Sequence, residues 1–110
     1  NYIEIPVKAL ASSKAFFNKV FGWEFEDYGD DYAAINGAGI RGGLYVSENC
    51  VSADKGSVLV VLYSDDLVNS QAAIKSAGGT IKIPTFEFPG GHRFHFCDGN
   101  NNEYAVWSDK

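Results

Sequence analysis

The hydrophobic positions of this chain alternate between a two-residue rhythm and a helical one, and the whole progression occurs twice. Over residues 2–7, Ile3, Ile5 and Val7 fall on one face of an extended segment, and Tyr2 and Glu4 fall on the other. The spacing of Phe16, Phe17, Val20 and Phe21 then predicts a helix over about 11–21, with Ser12 or Ser13 as its cap and Gly22 closing it. Three shorter strands are predicted near 23–26, 32–35 and 40–46, separated by Gly- and Asp-rich turns. A strand over 57–63, apolar on both faces, restarts the pattern. Asp65 or Asp66 caps a second helix that runs to Ala77 and stops at Gly78-Gly79. Strands follow near 80–83, 93–97 and 103–108. Pro84 and Pro89 bracket residues 85–88, which read as an irregular link.

Shifting the chain by 57 positions places Leu10 on Leu67, Ser13 on Ser70, Ala15 on Ala72 and Gly22 on Gly79. Ile3 and Ile5 then fall on Val60 and Leu62, and Phe17 on Ile74. The same elements in the same order imply an internal repeat. The expected architecture is α+β: two tandem βαβββ modules, about 1–50 and 56–110, within one domain of residues 1–110. The polar segment 47–55 is the natural joint between them. Each helix would cover one face of its sheet, leaving the other faces to curve into a shared mixed-sheet cup.

Composition narrows the function classes. A chain of 110 residues buries roughly two-thirds of its unfolded surface. At 45% hydrophobic and 15% aromatic it is not a disordered chain. A net charge of -5 argues against nucleic acid as a partner. No apolar run has membrane-spanning length and no segment reads as a signal peptide, so no membrane partner is expected. Cys50 and Cys97 lack metal-binding spacing and read as free thiols in a reducing cytoplasm.

Candidate chemistry concentrates in the last hairpin. Phe94, Phe96, Tyr104 and Val106 share one face; Arg93, His95 and Cys97 share the other with Glu103, Ala105 and Trp107. Arg93 has two readings: an anchor for a carboxylate or other oxyanion, or the ion-pair partner of Glu4. His95 either donates a hydrogen bond or shuttles a proton to a ligand, or is a satisfied wall residue. Glu4 is open to a general-base role as well as to the pair with Arg93. Leu59, Val61 and Tyr63, with Ala105 and Trp107, make an apolar, aromatic bed that suits a hydrophobic or planar ligand, or that is simply core or a dimer contact. A Cys97/His95 nucleophile pair lacks an orienting third group. His92 reads as a turn-flanking residue, and the glycines between 37 and 43 resemble no phosphate loop. No catalytic residue is assigned.

Three motifs together, Ile-Glu-Ile-Pro-Val at 3–7, Phe-Phe-Asn-Lys-Val-Phe-Gly-Trp at 16–23, and Arg-Phe-His-Phe-Cys-Asp-Gly-Asn-Asn-Asn-Glu-Tyr-Ala-Val-Trp at 93–107, resemble the vicinal oxygen chelate superfamily. This group includes glyoxalase I, bleomycin resistance proteins and extradiol dioxygenases, and the likeness is strongest to short, uncharacterised glyoxalase-like proteins. Residues 98–102 match the family's Asp-Pro-x-Gly-Asn turn with Gly99 in place of Pro. The resemblance implies a cup with four metal ligands in the metal-dependent members: a His in the first strand of each module and a carboxylate late in its last strand. Those places fall on Tyr2, Leu59, Ala105 and either Gly43 or Leu44. None is a usual ligand, so neither a metal nor any other cofactor is expected there. A replacement site would have to draw on Glu4, His95 and Glu103. Tyr2 becomes a hydrogen-bond donor at a vacated ligand place, or a rim residue. His95 stands where fosfomycin-resistance relatives carry a substrate-contacting tyrosine.

The resulting expectation is a glyoxalase/bleomycin-resistance-like protein that holds a small organic molecule in the cup without the family's metal. Its ligand-binding residues would be Tyr2, Glu4, Leu59, Val61, Tyr63, Arg93, His95, Ala105 and Trp107. The alternatives are a glyoxalase-like lyase or isomerase with a non-standard or absent metal site, and an interaction module whose cup is filled by its own side chains. The resemblance also implies a homodimer. The sequence leaves open the identity of the ligand and whether any reaction is catalysed.

Overall fold

A computed structural model describes residues 1–110. The chain divides into two compact units, Asn1–Cys50 and Val51–Lys110. The class is α+β, with one helix and one four-stranded mixed sheet per unit.

In the first unit, β1 (Ile3–Val7) leads into α1 (Leu10–Phe21), followed by β2 (Glu24–Asp27), β3 (Tyr32–Asn36) and β4 (Gly42–Val46). The sheet order is β1-β4-β3-β2, with β1 parallel to β4 and the other pairs antiparallel. Ile5, Val7, Ala33, Ile35 and Leu44 are buried on one side of this sheet, together with Phe16, Phe17 and Trp23. The Phe17 and Trp23 rings stack at 4.6 Å, so Trp23 is core. Gly22 ends α1 in the left-handed region at φ 73°, as its position requires. The expected serine cap is corrected: Ala9 is the N-cap and offers no side-chain acceptor. Ser12 and Ser13 lie inside the first turn, where the Ser13 hydroxyl donates back to the Ala9 carbonyl at 2.7 Å.

The second unit repeats the order as β5 (Val60–Tyr63), α2 (Leu67–Ser76), β6 (Thr80–Phe88), β7 (Gly91–Cys97) and β8 (Glu103–Ser108), in a sheet ordered β5-β8-β7-β6. β5 is parallel to β8. The Asp66 side chain accepts from the Asn69 N–H and caps α2. Phe94, Phe96, Tyr104 and Val106 are fully buried on the face that also buries Val60, Leu62 and Ile74.

Two expectations change here. Residues 85–88 are strand, because β6 runs through Pro84 to Phe88. Its register against β7 slips between Ile81 and Ile83 and again between Ile83 and Phe86. Pro84 lies within the second irregularity, where a missing N–H removes no ladder bond. The segment 47–55 is only partly a joint. Val51 donates to Asn102 Oδ1 at 2.8 Å and accepts from the Glu103 N–H at 2.9 Å, so residues 51–55, with a 3-10 turn at Ala53–Lys55, fold with the second unit. No helix is long and apolar enough to cross a membrane.

Candidate functional site

The strand registers show where the two repeats differ. Glu4 lies opposite Gly43 in the first unit, and Val61 lies opposite Ala105 in the second. Gly43, rather than Leu44, is therefore the counterpart of Ala105. By the same register Tyr32, opposite Tyr45, matches Arg93, opposite Trp107.

In the first unit the sheet face away from α1 carries a short phenol chain. Tyr32 donates to Glu4 Oε2 at 2.9 Å, and Tyr2 lies 2.6 Å from the Tyr32 hydroxyl. Tyr32 has one proton and gives it to the carboxylate, so Tyr2 is the donor of the second bond. Burial, then the bonds to Tyr2 and Glu4, push the Tyr32 phenol well up. The chain occupies the space a side chain at position 43 would need: a Cβ on Gly43 would overlap the Tyr32 hydroxyl and lie 2.8 Å from Tyr2 Oη. Glu4 is exposed and occupied by Tyr32. A hollow of about 370 Å³ at the start of α1 is lined by Lys14 and Asp27, but those two already pair at 2.7 Å.

The second unit builds the more demanding site. Alternation puts Val61 and Tyr63 of β5, Glu103, Ala105 and Trp107 of β8, and Arg93, His95 and Cys97 of β7 on the face opposite the core. Glu103 is its electrostatic centre, with only 2% of its side chain accessible. Its Oε1 accepts from Lys82 Nζ at 2.8 Å and from the Ala53 N–H at 3.0 Å, with the Ser52 hydroxyl at 3.4 Å. Its Oε2 bonds His95 Nδ1 at 2.8 Å. Burial alone would raise this carboxyl, but the bonds from Lys82, His95 and Ala53 prevail and bring it down to about 2. Lys82 also pairs with Asp54 at 3.1 Å, and Asp54 in turn accepts from Ser52.

The same chain extends outward. His95 Nε2 lies 3.0 Å from Arg93 Nη2. A guanidinium can only donate, so Nε2 is the acceptor and the imidazole proton resides on Nδ1, where it donates to Glu103. Arg93 is held over the rings of Phe86 and Phe88, 5.8 and 5.7 Å from their centroids. Its Nε is buried without a hydrogen-bond partner. It lines a cavity of about 300 Å³ with Val61, Phe88, Gly90 and Trp107. Tyr63 packs edge-on against Trp107 at 5.1 Å and donates to Asp109 at 2.7 Å. Burial raises the Cys97 thiol, which keeps it protonated and removes the basis for a Cys/His nucleophile.

Of the residues expected from the sequence, the second unit brings together Val61, Arg93 and Trp107 around the cavity, with His95 bonded to Arg93 and Tyr63 against Trp107. Ala105 lies opposite His95 and is fully buried. Leu59 precedes β5 and is absent from the cavity lining. Tyr2 and Glu4 belong to the phenol chain of the first unit. Lys82, Phe86, Phe88 and Gly90 escaped the sequence reading. The Phe86 and Phe88 alternation was a usable signal, obscured by the flanking prolines.

Comparison with known proteins agrees with this architecture. The profile of the family Glyoxalase/Bleomycin resistance protein/Dioxygenase superfamily matches residues 1–105. No curated protein matches the chain significantly. Among solved structures, a glyoxalase/bleomycin resistance protein/dioxygenase family enzyme from Burkholderia phytofirmans PsJN aligns with TM-score 0.80 at 13% identity, over 99% of this chain and 97% of that one. The fosfomycin resistance protein FosX from Listeria monocytogenes gives TM-score 0.78 at 18% identity, over 98% and 90%. TioX from Micromonospora sp. ML1 gives 0.71 at 16%, over 98% and 94%. Such identities show the fold alone.

Proposed function

Because the chain belongs to the Glyoxalase/Bleomycin resistance protein/Dioxygenase superfamily, we propose that it is a small-molecule-binding member that works without a metal ion. The observation that carries this reading is the second-unit cavity of about 300 Å³, apolar on Val61, Phe88 and Trp107 and charged at Arg93. Its size is at the lower end for small-molecule sites, and the mixture of apolar wall and one polar anchor is typical of them.

The donor set does not suit a metal ion. The places the resemblance assigns to ligands hold Tyr2, Leu59, Gly43 and Ala105, of which three carry no donor atom on the side chain. Tyr2 is committed to Tyr32. No group of three or more His, Cys, Asp or Glu side chains is placed to hold an ion elsewhere. Glu103 and His95 already satisfy each other, and Lys82 sits on the carboxylate. Sequestration of a small organic molecule is the corresponding physiological role. The same reading makes the protein a cytoplasmic homodimer with free Cys50 and Cys97.

One observation favours a second reading, a metal-free lyase or isomerase: an imidazole whose Nδ1–H is fixed by a buried carboxylate presents Nε2 as a base once Arg93 moves off it. Two measurements separate the readings. Calorimetric titration with nickel, zinc and manganese is expected to show no tight one-to-one binding, and a thermal-shift panel of aromatic acids and cationic antibiotics is expected to raise the midpoint. One tight metal per chain, or turnover of methylglyoxal with a thiol, would replace binding by catalysis.

A further inference from the structure

We infer that the second-unit cavity selects a planar organic carboxylate, of one or two aromatic rings, whose anionic group is held by Arg93. This rests on the small-molecule reading above and specifies its ligand class.

The argument is one of charge left over. Each acidic side chain packed near Arg93 on this sheet is already engaged. Glu103 bonds Lys82 and His95, and His95 stands between it and the guanidinium. Glu87 faces His92 at 3.7 Å. Asp109 accepts from Tyr63, and Asp54 pairs with Lys82. Arg93 makes no ion pair with any of them. A permanent cation therefore sits in the wall of an otherwise apolar cavity with one neutral acceptor, His95 Nε2, and a buried Nε that bonds nothing. A half-buried cation without a carboxylate partner and a buried, unsatisfied donor are both unfavourable, and an anion in the plane of the fork would compensate the charge.

The surroundings restrict the shape of that anion. Phe86 and Phe88 hold the guanidinium near their rings, 5.8 and 5.7 Å from the centroids, and a carboxylate binds such a fork best through in-plane hydrogen bonds. Gly90 leaves the wall without a side chain, and a Cβ there would lie 2.8 Å from the Phe88 ring. Trp107 and Val61 offer flat apolar surface beside it. Ala105, fully buried opposite His95, adds no polar group. A carboxylate attached to a flat ring satisfies the fork and the walls together. The chain Lys82–Glu103–His95 acts as a positioning device, because it fixes the imidazole that in turn holds Nη2.

The test is titration of the full chain with benzoate, 1-naphthoate, their neutral amides, and benzylamine, followed by the indole N–H resonance of Trp107. The acids are expected to shift that resonance and to bind about 30-fold more tightly than the amides, with benzylamine weaker still. Arg93→Met, checked for an unchanged thermal midpoint, is expected to erase the difference between acid and amide, and Arg93→Lys to retain only part of it. Amides binding as tightly as acids at Trp107 would overturn the anion selection while leaving small-molecule binding intact. A preference for acids that persists in Arg93→Met would overturn the role of Arg93. No binding by any probe would overturn both readings.

Discussion

His95 Nδ1 donates to Glu103 Oε2 at 2.8 Å, and both side chains are withdrawn from solvent. The two residues are diagonal neighbours across β7 and β8, since His95 lies opposite Ala105 and Glu103 opposite Cys97. The carboxylate of the second unit is thus two residues before the place where the resemblance expects a metal ligand. Its charge is balanced by Lys82 and its other oxygen is held by the His95 N–H, which makes it part of the wall that orients Arg93.

This burial makes acid sensitivity a direct consequence. The Glu103 carboxyl titrates at about 2 in the folded chain, below its ordinary value of about 4.3. A depressed carboxylate stabilises the fold above its unfolded value, and that contribution is lost as pH falls from about 5 toward 2, on the order of 3 kcal/mol in all. Asp98, raised chiefly by burial, works in the opposite sense and blunts the loss. Urea midpoints measured from pH 7 to 2.5 should fall for the parent chain. For Glu103→Gln they should begin lower at neutral pH and vary much less. Parallel curves would show that Glu103 is not the group responsible.

The repeat, the α+β class and both core faces were legible because they rest on periodicity, which a single sequence displays. The C-terminal cap at Gly22 was legible for the same local reason. The wall formed by Phe86 and Phe88 was not, since two prolines that normally end a strand flank it and only a bulged register accommodates Pro84. Lys82 was equally hidden. Its role depends on β6 lying next to β7 and on the fold-back of residues 51–55, and nothing in the Thr80–Ile83 pattern announces a buried carboxylate across the sheet. Tyr2 and Glu4 were placed on the correct face of β1, but their partner Tyr32 arrives from β3. Local pattern reveals which face a residue takes; it does not reveal which long side chain will reach it.

Arg93 should matter far less to stability than to binding. It has no carboxylate partner, and its Nε is buried without a bond. Replacing it by Met keeps an unbranched apolar stem against Phe86 and Phe88 and removes the unsatisfied donor, at the loss of one bond to His95. The net change is expected within about 1 kcal/mol in denaturant unfolding. A loss of several kcal/mol would mean that Arg93 is a structural keystone rather than a ligand anchor.

The two helices differ at their starts in a way that can be exploited. Asp66 caps α2 through the Asn69 N–H, whereas Ala9 leaves the first turn of α1 without a side-chain acceptor. Asp66→Ala should destabilise by about 1 kcal/mol, and Ala9→Asp should stabilise by about half that, because Ala9 already has the extended backbone of a cap. Thermal midpoints moving in opposite directions would check both. An unchanged midpoint for Ala9→Asp would indicate that the Ser13 back-bond to Ala9 already fixes the turn.

Gly42 and Gly43 are adjacent in β4, both buried, and should respond very differently to a methyl group. A Cβ on Gly42 would overlap the carbonyl oxygen of Ile3 and lie 2.8 Å from its Cγ2. That carbonyl belongs to the paired strand β1, so relief requires the parallel ladder between Ile3 and Gly42 to open. The atoms nearest to a Cβ on Gly43 would be the outer ends of the Tyr32 and Tyr2 side chains, and phenols can swing aside. Gly42→Ala is therefore expected to cost about 3 kcal/mol and Gly43→Ala about 1 kcal/mol. The second variant carries its own signature. Displacing the phenols breaks the bond from Tyr2 and loosens the one to Glu4, two of the causes that, after burial, hold the Tyr32 hydroxyl up. Its titration, followed by ring resonances in alkali, should move down toward that of an ordinary tyrosine. Equal destabilisation by the two alanines, with Tyr32 unmoved, would show that the phenol chain does not occupy the space above Gly43.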